Sequence, residues 1–146
     1  MRFYSYEECV ADAKILARQI RDEFAPEVIL GVSRGGLALA QLFAEYLDTR
    51  LCFSLNSIHY EGDVKLDEVE IFNIPELGGY KRVIVVDDMV DSGESMVAVM
   101  AKLRELFPQV EFKLVTIFYK DKSLIKPDFC VRKTDEWIHF CWEVEL

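Results

Sequence analysis

The 146-residue sequence contains no apolar run approaching the ~20 residues that a helical membrane span needs. Its opening stretch, MRFYSYEECVADAK, has no uninterrupted hydrophobic segment, so neither a secretory signal nor an integral membrane segment is expected. Positive charge is scarce: 17 Lys and Arg stand against 26 Asp and Glu, for a formal net charge of −9. Nucleic-acid binders want a basic face, and this balance argues against nucleic acid as a partner. It also constrains phosphate chemistry, because an anionic ligand must be held by backbone N–H groups, a few placed cations or a metal. The four cysteines, Cys9, Cys52, Cys130 and Cys141, form no C-x-x-C pair and read as reduced thiols of a cytoplasmic protein. No internal repeat and no linker divides the chain, so a single domain over residues 1–146 is expected.

What the chain does have is alternation. Apolar residues make up 51% of it, enough for a real core. Ser5 and Glu8 have capping-box spacing, and Val10, Ala13, Ala17, Ile20 and Phe24 recur at helical spacing until Pro26. Strands are expected at residues 27–32, 51–55, 81–86 and 112–119, with helices at 37–47 and 95–107. One or two short strands are expected around Phe129 and residues 137–140. Residues 58–79 are acidic and lack helical periodicity, and they read mainly as a long loop or hairpin, of a length that is often functional. Strands alternating with helices predict an α/β fold, a mostly parallel twisted sheet flanked by helices.

One stretch concentrates the chemistry. In VIVVDDMVDSGES, residues 83–95, an apolar strand delivers Asp87 and Asp88 to the sheet's carboxyl edge, where open α/β sheets bind ligands. Asp91, Ser92, Gly93, Glu94 and Ser95 then lead into a helix whose N–H groups suit a phosphate. Carboxylates beside such a cradle make sense as acceptors for sugar hydroxyls, as metal ligands or as a proton acceptor. An acid pair at a strand end is common, and Asp91-Ser92-Gly93 alone could be a turn and cap. A receiver domain also clusters acids and uses a strand-end Lys, as Lys120 is, but spreads its acids over separate strands. A two-acid phosphatase needs D-x-D, which Asp87-Asp88-Met89 lacks. Pentose plus phosphate is the ligand the whole stretch describes.

The segment resembles the phosphoribosyl pyrophosphate (PRPP) motif of type I phosphoribosyltransferases. GVSRGG, residues 31–36, resembles the family's pyrophosphate loop. TIFYK at 116–120 and DEWIHFCWE at 135–143 resemble the base-binding strand and hood of the bacterial xanthine-guanine branch. The resemblance implies the type I fold with a small C-terminal hood, PRPP and a 6-oxopurine base as ligands, Mg²⁺, and a homodimer or homotetramer. It implies that Asp87 and Asp88 hold the ribose hydroxyls, with Asp88 also near the metal, and that residues Ser92 to Ser95 bind the 5-phosphate. Asp91 is then the catalytic residue at the purine N7, Lys120 donates to O6, Trp137 stacks on the base and the Ile138 backbone meets its 2-position edge. Ser33, Arg34, Gly35 and Gly36 grip pyrophosphate, where Arg34 is a rigid donor and the glycines allow close approach. The Ser33–Arg34 peptide is often cis in this family.

Two departures from the pattern stand out. His59-Tyr60 replaces Ser-Tyr at the start of the family's mobile loop, and Glu94 sits inside the phosphate cradle, with its side chain expected to face solvent. Lys65 in the loop either reaches pyrophosphate or stays solvated, and Glu143 is either a metal ligand or a solvated terminal acid. Trp137 read without the resemblance is a core aromatic. A noncatalytic nucleotide sensor on the same fold is the alternative to an enzyme. It predicts loss of Arg34, of the loop or of the hood aromatic, all of which are present.

Overall fold

The computed structural model describes residues 1–60 and 68–146. Lys65 lies outside the described residues. Arg2–Tyr4 forms β1, Tyr6–Glu23 α1, Val28–Ser33 β2, Leu37–Tyr46 α2, Cys52–Tyr60 β3 and Glu68–Phe72 β4. Arg82–Val86 is β5, Met89–Val90 β6, Glu94–Leu106 α3, Glu111–Tyr119 β7, Phe129–Lys133 β8 and Ile138–Phe140 β9.

Strand β2 runs parallel to both β3 and β5, β5 is parallel to β7, and β7 is parallel to β8. Only β4 reverses, pairing antiparallel with β3 among the described residues. The ladder of β5 on β7 resumes after Asp87 and Asp88 as β6, which pairs Met89 with Phe118 in the same register that pairs Val86 with Val115. The two acids therefore sit at an interruption of a strand, and Asp87 and Asp88 still bond through their backbones to Val115 and Ile117.

Both faces of the sheet are covered, which explains the near-continuous apolar runs. Val28, Leu30, Val83 and Val85 join α3 residues such as Val99 and Leu103 on one face. Ile29, Ile84 and Val86 meet Leu16, Ile20, Leu39 and Phe43 of α1 and α2 on the other. The expected capping box is present: Ser5 and Glu8 exchange side-chain and backbone bonds at the start of α1.

Within the segment at 58–79, β3 continues to Tyr60 and pairs antiparallel with β4 at residues 68–72, while residues 73–79 belong to no strand. The hood is built from both ends of the chain: β1, which sequence reading misses, pairs in parallel with β9. The buried side chain of Tyr4 donates to Asp12 of α1, and the Asp12 carboxylate takes Arg132 of β8 at 2.8 Å, tying hood to body.

Candidate active site

Because β2, β5 and β7 are parallel, the loops that follow them emerge at one edge. After β2, the Ser33–Arg34 peptide is cis, as the family resemblance implied. The chain then turns tightly, with the Gly36 N–H donating to the Val32 carbonyl at 2.9 Å. A Cβ on Gly36 would run into the Val86 carbonyl oxygen and the Val32 backbone, and one on Gly35 into the Asp88 carboxylate. Gly36 thus lets α2 start against the neighbouring strand, and Gly35 lets the loop touch the acid pair. Gly36→Ala should destabilise the fold by on the order of 1–3 kcal/mol, since backbone rather than a movable side chain must yield. Thermal denaturation checks this, and an unchanged midpoint contradicts it.

Ser33, Arg34, Gly35, Asp87, Asp88, Ser95 and Glu143 line one cavity of about 810 Å³. The Asp88 N–H donates to the Asp87 carboxylate at 2.8 Å. Burial, followed by the neighbouring Asp88 charge, pushes the Asp87 carboxyl well above the usual range. Burial likewise pushes Asp88 up to about 6, and the charge of Glu143 adds to this. Such a site is short of positive charge. Asp88 and Glu143 offer hard oxygen ligands, and Mg²⁺ typically takes one or two carboxylates and leaves the rest of its shell to water and phosphate oxygens. Among the described residues no three His, Cys, Asp or Glu side chains converge as a metal cluster. The donor set fits a cation shared with a phosphorylated substrate, and not a metal caged by protein alone.

The raised Asp88 sets a pH dependence of stability. Folded Asp88 holds its proton more tightly than the unfolded chain does, so its contribution is full below about pH 4 and is lost as pH rises through about 6. Asp88→Asn removes that loss. In metal-free buffer at pH 7 the variant should be more stable than wild type by about 1–3 kcal/mol, with the difference vanishing near pH 4. Melting curves across pH check this, and a lower midpoint for the variant at pH 7 contradicts it.

The turn after β6 forms the cradle. Gly93 takes φ +88°, a left-handed conformation that suits glycine, and a Cβ there would press on the Leu124 and Ile125 backbone. The Ser92 carbonyl accepts from the Leu124 N–H at 2.9 Å, and the Ser92 hydroxyl accepts from the Glu94 N–H at 3.3 Å. Helix α3 therefore begins at Glu94, one residue earlier than expected, with its first-turn N–H groups facing the edge. The Glu94 side chain is exposed, as expected, and its Oε2 also lies 3.3 Å from His59 Nε2. The imidazole reaches it because β3 is longer than the sequence suggested.

A second cavity, about 840 Å³, is lined by Asp91, Ser92, Glu94, Lys120, Lys133 and Asp135, with others. Lys120 and Asp91 are joined by an ion pair of 2.8 Å. Ile138 is buried on β9, whereas Trp137 is 66% exposed and does not line this cavity. Such exposure overturns the core reading of Trp137, but the indole is not gathered with Lys120 and Asp91. Sequence reading missed His139 and Trp142, which line the first cavity beside Arg34. Trp142 stacks on Phe140 with centroids 4.9 Å apart, a pairing that the aromatic spacing of the tail could have suggested.

Residues 3–146 match the family model described as the phosphoribosyl transferase domain. The xanthine-guanine phosphoribosyltransferase of Idiomarina loihiensis is 31% identical over 149 residues, covering 99% of this chain and 88% of that one. Among solved structures, the xanthine-guanine-hypoxanthine phosphoribosyltransferase of Helicobacter pylori superposes with a TM-score of 0.91 at 33% identity, covering 98% and 94% of the two chains. A purine phosphoribosyltransferase from Pyrococcus horikoshii gives a TM-score of 0.85 at 28% identity, covering 99% and 95%.

Proposed function

The chain belongs to the phosphoribosyl transferase domain family and is a purine phosphoribosyltransferase; we propose that its base is a 6-oxopurine. Guanine, xanthine or hypoxanthine plus PRPP gives the nucleoside 5-monophosphate and pyrophosphate. Four unpaired thiols suit the reducing cytoplasm for such a salvage enzyme.

In this reading the purine N9 attacks C1 of PRPP as the bond to pyrophosphate breaks. Asp87 and Asp88 accept hydrogen bonds from the ribose hydroxyls, and their negative charge favours the positive sugar that develops at C1. The first-turn N–H groups of α3 with Ser92 and Ser95 take the 5-phosphate. Arg34 and the backbone around Gly35 hold the departing pyrophosphate. Asp91 faces N7 and manages the base's proton, while Lys120 donates to O6. Mg²⁺, when bound, supplies charge neutralisation of the pyrophosphate, and Asp88 and Glu143 would hold it. The arrangement that supports the reading most is the cavity shared by Arg34, Asp88, Ser95 and Glu143. It joins a pyrophosphate grip, a sugar acceptor, a phosphate cradle and a metal ligand within one space.

The test is to mix protein, Mg²⁺, PRPP and each base, and to follow pyrophosphate. Release that depends on a 6-oxopurine is expected. Absence of turnover with any base would favour the nucleotide sensor.

An exposed Trp137 has its own expected result. Closing over a bound base would bury a ring that is now 66% exposed, and base–aromatic stacking is worth ~1–3 kcal/mol. Trp137→Ala should raise KM for the base about 5- to 150-fold and leave that for PRPP little changed. An unaltered base KM would remove Trp137 from the site.

A further inference from the structure

The cradle holds a carboxylate on ground that an anion needs. Glu94 is the first residue of α3, and the N-terminal turn of a helix attracts negative charge. A phosphate arriving there meets a side chain of its own sign. That side chain is engaged from across the cavity, since its Oε2 stands 3.3 Å from Nε2 of His59. His59 comes from the end of β3, an element separate from α3 in the chain. It lines the cavity that holds Arg34 and Asp88, and also a smaller one of about 510 Å³ lined by Ser92, Gly93 and Ser95. Its side chain is 23% exposed, against 44% for Glu94. The imidazole is thus the more enclosed partner, and the carboxylate is the one with room to leave. The ring nitrogen 3.3 Å from that carboxylate oxygen stands over these amides, close to where a phosphate oxygen would sit.

We propose that His59 is a further phosphate-binding residue, held over the cradle by Glu94 until the 5-phosphate of the substrate displaces the carboxylate. The proposal rests on the phosphoribosyl reading above. No bond is made or broken in the exchange: the imidazole trades one anionic oxygen for another and Glu94 turns to solvent. The two residues therefore act on affinity with opposite signs. His59 keeps an anionic acceptor in the complex, now on the phosphate, whereas Glu94 loses its partner and opposes the incoming charge.

The experiment measures KM for PRPP in wild type, His59→Ala, His59→Gln and Glu94→Gln, with calorimetric titration of GMP and of guanosine alongside. A hydrogen bond to a charged group is worth about 1.5–3 kcal/mol. Because the phosphate contact replaces the one to Glu94, His59→Ala should raise KM for PRPP by a smaller factor, about 3- to 10-fold, and weaken GMP in parallel, with guanosine unaffected because it lacks the phosphate. His59→Gln, which keeps an N–H donor, should recover part of the loss. Glu94→Gln should tighten both PRPP and GMP. Wild-type turnover with His59→Ala and Glu94→Gln both shifting KM upward would overturn the exchange and leave a structural latch. An unchanged GMP affinity in folded His59→Ala would also overturn it. Loss of PRPP turnover in the wild type itself would instead remove the phosphoribosyl reading, and the proposal with it.

Discussion

Adenine should be turned over at least about 10³-fold less efficiently than guanine in kcat/KM. The expectation rests on Lys120, placed at the end of β7 with its side chain 21% exposed and 2.8 Å from Asp91. An ammonium has three donors and no acceptor. The 6-oxopurines present a carbonyl there, while adenine presents an amino donor. Taking Lys120 away from Asp91 costs an ion pair, which an oxygen at position 6 offsets and an amino group does not. Adenine would leave the charge unpartnered in a closed site, and sites built around a hydrogen bond reject analogues lacking it by ~10⁴. Lys120→Ala should narrow the gap mainly by losing the oxopurines. Comparable turnover of adenine and guanine by the wild type would overturn both the role of Lys120 and the 6-oxopurine assignment.

Asp91→Asn should lower kcat by ~10²-fold or more if Asp91 handles the proton of the base. PRPP binding should survive, because the turn is held by backbone contacts that the side chain does not make. The Ser123 hydroxyl donates to the Asp91 carbonyl, and Leu124 N–H to that of Ser92. Steady-state kinetics with PRPP and base varied separately distinguish the cases. Wild-type turnover in the variant would reduce Asp91 to a turn residue and a partner for Lys120.

The parts of this molecule legible in its sequence are those whose signals are local. The capping box at Ser5 and Glu8, the apolar runs of β2, β5 and β7, and the Gly-rich turn at Gly35 and Gly36 each declare themselves within a few residues. The acid-rich stretch is legible for the same reason, since Asp87, Asp88 and Asp91 fall within five residues, on either side of the short strand β6. Strand β3 was cut short because Ser54, Asn56, Ser57 and His59 look polar. Pairing with β4 carries it on to Tyr60. That extension places His59 against Glu94, so the contact between two residues that each departed from the family pattern could not be read from either. The Asp91–Lys120 pair needs the register of β6 on β7, which brings Val90 beside Tyr119. Strand β1 was missed because three residues carry no period, and it forms only because β9 returns to it from the other end of the chain.

The most direct measurement is a crystal structure of the protein with GMP and Mg²⁺. The account predicts the 5-phosphate on residues 92–95, the ribose hydroxyls on Asp87 and Asp88, and the purine O6 within hydrogen-bond reach of Lys120, with the contact between Lys120 and Asp91 opened. A nucleotide seated with its phosphate away from the start of α3, or with its ribose hydroxyls turned from the acid pair, would contradict the account.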